Sequence, residues 1–223
     1  MTESGYTHIS MVLDRSGSMS SIINDTIGGF NTFLGEQKKQ EGKCTLSLMQ
    51  FDDKHEQLET FKDIQEVKEL DSKVYVPRGS TALLDAIGTT IAVTKEEIEK
   101  MNEKDRPDKV LFVISTDGEE NASREYDLKQ INELITKYTE ENKWQFIFLG
   151  ANQDAIQSGN RMGFISTNSM TYTANDKGID SMYKTLSRKA GKLRGLHTNA
   201  SVVELEDAVA FDAADRLEQE NAK

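Results

Sequence analysis

Short apolar runs rich in β-branched and aromatic residues alternate along this chain with longer stretches whose apolar residues recur every three or four positions. That alternation marks parallel strands buried on both faces and joined by amphipathic crossover helices. Six runs read as strands: residues 9–13, 44–51, 57–61, 110–115, 144–149 and a weaker one at 169–173. The polar turn over 52–56 is too short to hold a crossover helix, so the second and third runs are expected to pair as an antiparallel hairpin at one edge. Helices are expected over 20–39, 82–102, 125–141, 155–161 and 177–193. Pro77 and Pro107 fall outside all of them, as a missing N–H and a ring clash require. The predicted fold class is α/β: a doubly wound, mainly parallel six-stranded sheet with one antiparallel edge strand and helices on both faces.

The last helix carries Ile179, Met182, Tyr183 and Leu186 on one face, the spacing of a packed helix. Its C-terminal half gathers Lys184, Arg188, Lys189, Lys192 and Arg194, which complement the helix dipole. Beyond Gly195 the chain turns acidic, with seven Asp and Glu against two basic residues, and its apolar content is thin. One domain over 1–195 is expected, followed by an acidic tail over 196–223 that is mobile or marginally helical.

Composition narrows the function classes. Net charge is -11 over 223 residues, which disfavours nucleic acid and anionic membrane surfaces as partners, although the tail supplies much of that charge. A single cysteine, Cys44, excludes an internal disulfide, and His8, His55 and His197 offer no zinc spacing. The first residues lack the basic and apolar regions of a signal peptide, and no apolar run approaches the ~20 residues of a membrane span, so a cytoplasmic location is expected.

Candidate chemistry sits where strands run into loops. The first strand ends in Asp14-Arg15-Ser16-Gly17-Ser18, three oxygen side chains at alternate positions around a glycine that lets the chain curl. The fourth strand ends in Thr116-Asp117-Gly118, which brings a second aspartate to the same rim, the carboxyl edge where open α/β sheets bind ligands. Arg78-Gly79-Ser80-Thr81 precedes a long helix and sets Thr81 near its N-terminal turn. Taken singly, Ser18, Ser20 and Thr81 read equally well as helix caps, and Asp117 as the anchor of its own loop. Independent capping does not explain why all fall at one rim.

Those residues resemble the von Willebrand factor type A (VWA) domain family, whose metal-ion-dependent adhesion site (MIDAS) is written Asp-x-Ser-x-Ser, then a distant Thr, then a distant Asp. Asp14, Ser16, Ser18, Thr81 and Asp117 complete that pattern, and the order of elements matches over about residues 6–194. The resemblance implies a Rossmann-like fold, a divalent metal held by these five residues and no catalytic residue. It also implies capture of a protein partner that presents Asp or Glu, a subunit of an ATPase or other multi-protein machine being one such partner. Mg2+ suits the site, with Mn2+ or Ca2+ as alternatives; a shell made largely of neutral hydroxyls leaves the ion attractive to an outside carboxylate. Two rival readings stand beside it: a magnesium-dependent phosphoryl-transfer enzyme with Asp14 as nucleophile, and an assembly protein that binds through other surfaces. The enzyme reading lacks a second aspartate, because Ser16 stands in its place, and the Arg78–Thr81 loop lacks the lysine of a phosphate cradle.

Overall fold

A computed structural model describes residues 5–151 and 154–222. Its six-stranded sheet has the order β3-β2-β1-β4-β5-β6. Strands β1 (Thr7–Asp14), β2 (Cys44–Phe51), β4 (Lys109–Thr116), β5 (Gln145–Ala151) and β6 (Ser169–Tyr172) run parallel, and β3 (His55–Asp63) is the antiparallel edge. All six expected strands and the edge hairpin are present. Side chains alternate between two apolar layers, so that Ile9, Met11 and Leu13 face one side of the sheet while Val12 faces the other. Helices α1 (Ile23–Lys39) and α5 (Asp176–Gly195) cover the first layer; α2 (Leu83–Lys100), α3 (Leu128–Asn142) and α4 (Ala155–Arg161) cover the second.

Two boundaries moved for physical reasons. Residues 17–22 form a 3-10 turn before α1, with Met19 fully buried beneath it. Helix α3 starts at Leu128 rather than 125, because Asp85 on α2 draws in the backbone N–H groups of Arg124, Glu125 and Tyr126 at 2.8–2.9 Å and holds them out of helical register.

Being antiparallel, β3 delivers the chain to the rim opposite Asp14, so residues 64–82 must travel back along the sheet to place Thr81. They do so without a helix, burying Ile64, Val67, Leu70 and Tyr75 in the first layer. Asn31 on α1 pins this return segment through both the N–H and the carbonyl of Leu70, at 2.8 and 2.9 Å.

Over residues 196–222 the segment expected as a mobile or marginally helical tail carries two capped helices, α6 (Val202–Val209) and α7 (Ala213–Glu220). The apolar content is thin but falls on one side: Leu205, Ala208, Val209 and Phe211 are buried in the first layer. The cations of α5 prove to be the docking partners of this acidic segment. Asp215, whose side chain is 1% exposed, pairs with Lys189 at 2.6 Å and with Arg188, and Lys192 donates to the carbonyl of Asp207. Arg194 turns the other way and donates to the carbonyl of Gln37 at 2.5 Å, closing the C-terminus of α1.

Helices α1 and α5 approach most closely where Gly29 lies against the ring of Tyr183; a Cβ at Gly29 would fall inside that ring's van der Waals surface. Gly29→Ala is therefore expected to destabilise the protein by about 1–3 kcal/mol, since overpacking outweighs the gain in helix propensity. Urea unfolding measures it, and an unchanged midpoint would contradict the close approach.

Candidate functional site

Three loops meet at the carboxyl rim, the first after β1, the second before α2 and the third after β4. Asp14 is the last residue of β1 and is fully buried. Its Oδ1 accepts the N–H of Ser16 at 2.6 Å and its Oδ2 accepts the hydroxyl of Thr116 at 2.5 Å. Ser16 Oγ lies 3.0 Å from Ser18 Oγ, which donates to Asp117 Oδ1 at 2.6 Å. Thr81 joins the group across Gly118: a Cβ built there would stand 3.0 Å from Thr81 Oγ1 and 3.5 Å from Ser18 Oγ. All five residues singled out in the sequence thus lie together: Asp14 is tied to the Ser16 N–H, Ser16, Ser18 and Asp117 are linked oxygen to oxygen, and Thr81 faces Ser18 across Gly118.

The capping alternatives do not describe what these hydroxyls do. Ser16 precedes the 3-10 turn and α1 follows Ile22, yet neither cap position makes a side-chain bond. At α2 the exposed N–H groups of Leu84 and Asp85 go to Glu120 Oε2 and Ser123 Oγ, both from the third loop, which leaves the Thr81 hydroxyl free of that task.

Backbone bonds knit the loops. Gly17 N–H donates to the Gly79 carbonyl at 3.1 Å and Arg78 N–H to the Arg15 carbonyl at 2.8 Å, joining the first loop to the second. Gly79 has φ +69°, a left-handed conformation that glycine tolerates, and a Cβ there would collide with Asp53 Oδ1. Thr81 N–H donates to Asn121 Oδ1 at 2.9 Å while Asn121 N–H returns to the Thr81 carbonyl at 3.0 Å, joining the second loop to the third.

Sequence reasoning left several residues without a task. Thr116, Asn121 and Glu120 lie inside the motif segments, but their roles depend on which loop faces which. Tyr75, in a stretch with no periodicity, donates its hydroxyl to the Asp14 carbonyl at 2.6 Å. Arg15, which reads as a solvated cation, is buried and donates to Asp52 Oδ2 at 3.0 Å and Glu56 Oε2 at 2.7 Å.

Charge balance defines the chemistry. Burial pushes the Asp14 carboxyl up to about 6, against the pull of its hydrogen bonds from Thr116 and Ser16, and the nearby Asp117 adds to the rise. Burial raises Asp117 as well, opposed by the Ser18 hydroxyl. Neither aspartate has a cationic partner among the described residues, because Arg15 is committed to Asp52 and Glu56. No group of three or more His, Cys, Asp and Glu is placed to hold a metal ion among the described residues. The rim instead offers two carboxylates and three hydroxyls, an all-oxygen set that suits a hard divalent cation and not a soft one.

This architecture defines a doubly wound α/β domain, and the chain belongs to the von Willebrand factor type A domain family, whose model matches residues 8–185. Members of that family commonly bind metal at a MIDAS for protein interactions. Comparison with curated protein sequences gives no match. Among solved structures, proximal thread matrix protein 1 from the mussel byssus, in a structure described as having a zinc-occupied MIDAS motif, is 14% identical with a TM-score of 0.58, over 86% of this chain and 47% of that one. The pilus adhesin SpaC from Lactobacillus rhamnosus GG is 10% identical with a TM-score of 0.65, over 84% and 30%. The vWF domain of the type V pili tip protein Mfa5 from Porphyromonas gingivalis is 11% identical with a TM-score of 0.58, over 83% and 96%. At these identities the likeness is one of fold. The chain spans about half the length of the mussel protein. No helix among the described residues is long and apolar enough to cross a membrane.

Proposed function

We propose that Asp14, Ser16, Ser18, Thr81 and Asp117 hold a divalent cation, Mg2+ in the first instance, and that the bound ion captures an Asp or Glu side chain of a partner protein. The observation that carries this reading is that Asp14, buried, and Asp117, half-buried, share one rim with the Ser16 and Ser18 hydroxyls and have no cationic partner among the described residues. With two carboxylates against a double charge, and neutral hydroxyls as the remaining donors, the ion keeps affinity for one more anionic ligand. Asp14 is poorly placed as a phosphoryl-accepting nucleophile, since both its oxygens already accept hydrogen bonds from the protein. On this reading the protein is a binding module whose partner supplies any catalysis, and the rest of its assembly, an ATPase among the candidates, is sought through that partner.

Metal binding is expected to raise the melting temperature of the chelator-treated protein, with Mg2+ and Mn2+ both effective. An ion present at about 100 times its Kd stabilises by about 2.7 kcal/mol. Capture of partner protein should require the same ions and disappear with chelator. No melting shift with either ion, measured calorimetrically, would refute the metal site; a shift with capture that ignores chelator would refute its role in binding.

A further inference from the structure

Beside the proposed metal site the second layer opens into a cavity of about 320 Å3, with Gly118 in the wall between the two. Leu83 and Leu84 of α2, Phe148 of β5 and Met162 after α4 form its apolar interior. Leu128, the first residue of α3, stands at its mouth 42% exposed, one of few large apolar side chains left uncovered on the described surface. Arg161, Glu119 and Glu120 also line it, and the Arg161 guanidinium has no ion-pair partner among the described residues.

Gly118 makes the two sites neighbours. Its N–H donates to Thr116 Oγ1 at 3.1 Å, so the dividing wall is a single anchored residue without a side chain. On the metal side that wall meets Thr81 Oγ1 and Ser18 Oγ, and on the other it lines the cavity. In an extended chain, residues i and i+2 point to the same face, roughly 6.5–7 Å apart. A segment whose acidic side chain reaches over Thr81 and Ser18 therefore carries the side chain two positions away across Gly118.

The geometry points to a two-point recognition site. The occupant is an extended segment of a partner protein of the form acidic-x-apolar, its carboxylate on the metal and its apolar side chain in the cavity lined by Leu84, Leu128 and Met162. This deepens the function proposed above and rests on it. The metal selects for charge, and the cavity selects among the many acidic residues that any protein surface displays.

Fluorescence anisotropy with three labelled peptides that differ only in the central triplet, Asp-Gly-Leu, Asp-Gly-Ser and Asn-Gly-Leu, tests it on the full chain saturated with Mn2+. Asp-Gly-Leu is expected to bind about tenfold more tightly than Asp-Gly-Ser, the worth of a partly buried leucine, and Asn-Gly-Leu not measurably. Leu128→Ser, at an exposed position, should erase the preference for leucine while leaving the Mn2+-induced melting shift at its wild-type size. Equal binding of the two aspartate peptides would overturn the cavity's role and leave the metal reading standing. Failure of all three peptides to bind, with the melting shift intact, would overturn it as well, as would Mn2+-induced self-association that excludes the peptides, since the occupant would then be a second copy. A missing melting shift would instead overturn the metal site on which the inference rests.

Discussion

Asp14→Asn is expected to make the metal-free protein more stable while abolishing the metal-induced melting shift. The wild-type carboxyl, which titrates near 4 in an unfolded chain, is pushed up to about 6 in the fold by burial. The metal-free folded state therefore binds a proton that the unfolded state has released, and its stability falls as pH rises through the window between about 4 and about 6. Above that window the full penalty is present, on the order of 3 kcal/mol for a two-unit shift. Asparagine escapes it. Its Oδ1 still accepts the Ser16 N–H, and its amide can donate to Thr116 Oγ1, whose proton is free to turn to the Gly118 carbonyl 3.2 Å away. A gain of about 1–3 kcal/mol is expected at neutral pH, shrinking toward zero near pH 4. In wild type, metal and proton compete for the same carboxylate, so affinity for Mn2+ should weaken as pH falls below about 6. Chemical denaturation of both proteins with chelator, repeated across pH, measures the first effect and titration calorimetry the second. A metal-free variant less stable than wild type at neutral pH would show that the buried charge is satisfied by the protein itself, and the case for a missing cation would fail.

Asp52→Asn is expected to destabilise the protein by about 3 kcal/mol, the cost of leaving the buried Arg15 with only the half-exposed Glu56 as counter-charge. Asp52 joins all that supports the first two loops. Its Oδ2 accepts Arg15 Nε at 3.0 Å and Arg78 Nε at 2.9 Å, its Oδ1 accepts the Lys54 N–H at 2.9 Å, and its own carbonyl accepts the N–H of Ala82 next to Thr81 at 2.8 Å. Burial opposes ionisation of this carboxyl, but the Arg78 hydrogen bond, the Lys54 N–H and the Arg15 charge outweigh it and hold the group below the usual carboxylate range. An amide offers one acceptor where the carboxylate offers two, and turns an N–H toward a donor. For a domain of this size the loss corresponds to a fall in Tm of about 6–12 °C. Affinity for Mn2+ should fall further than in Gly29→Ala, whose defect lies in the packing of two helices away from the rim. The double variant Arg15→Met, Asp52→Leu removes both charges and should recover much of the stability. A Tm within about 2 °C of wild type for Asp52→Asn would show that Glu56 and Gln50 suffice for Arg15.

Asp52 and Tyr75 mark where sequence reasoning reached its limit. Both flank recognisable elements, yet their partners, Arg15 and the Asp14 carbonyl, are 37 and 61 residues away along the chain. A hydrogen bond across such a separation leaves no local period or spacing to read. Thr116 and Asn121 carry no readable role in the sequence for the same reason: their bonds to Asp14 and Thr81 exist only once the third loop is folded against the other two.

The acidic tail shows the same limit in another form. Composition over 196–223 argues for mobility, but stability depends on where the few apolar residues land and on what stands opposite the charges. Leu205, Ala208, Val209 and Phe211 land on the first layer, and Asp215 meets Lys189 and Arg188. Arg188, Lys189 and Lys192 of α5, explained from sequence by the dipole of their own helix, are partners of a segment still to come in the chain.

The number, type and order of the strands, the antiparallel edge hairpin and the family of the domain were determined by the chain's own pattern, because burial on two faces imposes a hydrophobic period that is local and therefore readable. The five oxygen residues were readable too, since each closes or opens such an element. Only the tertiary structure decided that Asp14, buried, and Asp117, half-buried, lie on one rim without a cationic partner among the described residues, that Asp52 ties the first two loops together, that Gly118 lies between the oxygen residues and a side-chain-sized cavity, and that Leu205, Ala208, Val209 and Phe211 pack into the core. Each of these depends on desolvation and on contacts between distant segments, which exist only after the strands have been brought side by side.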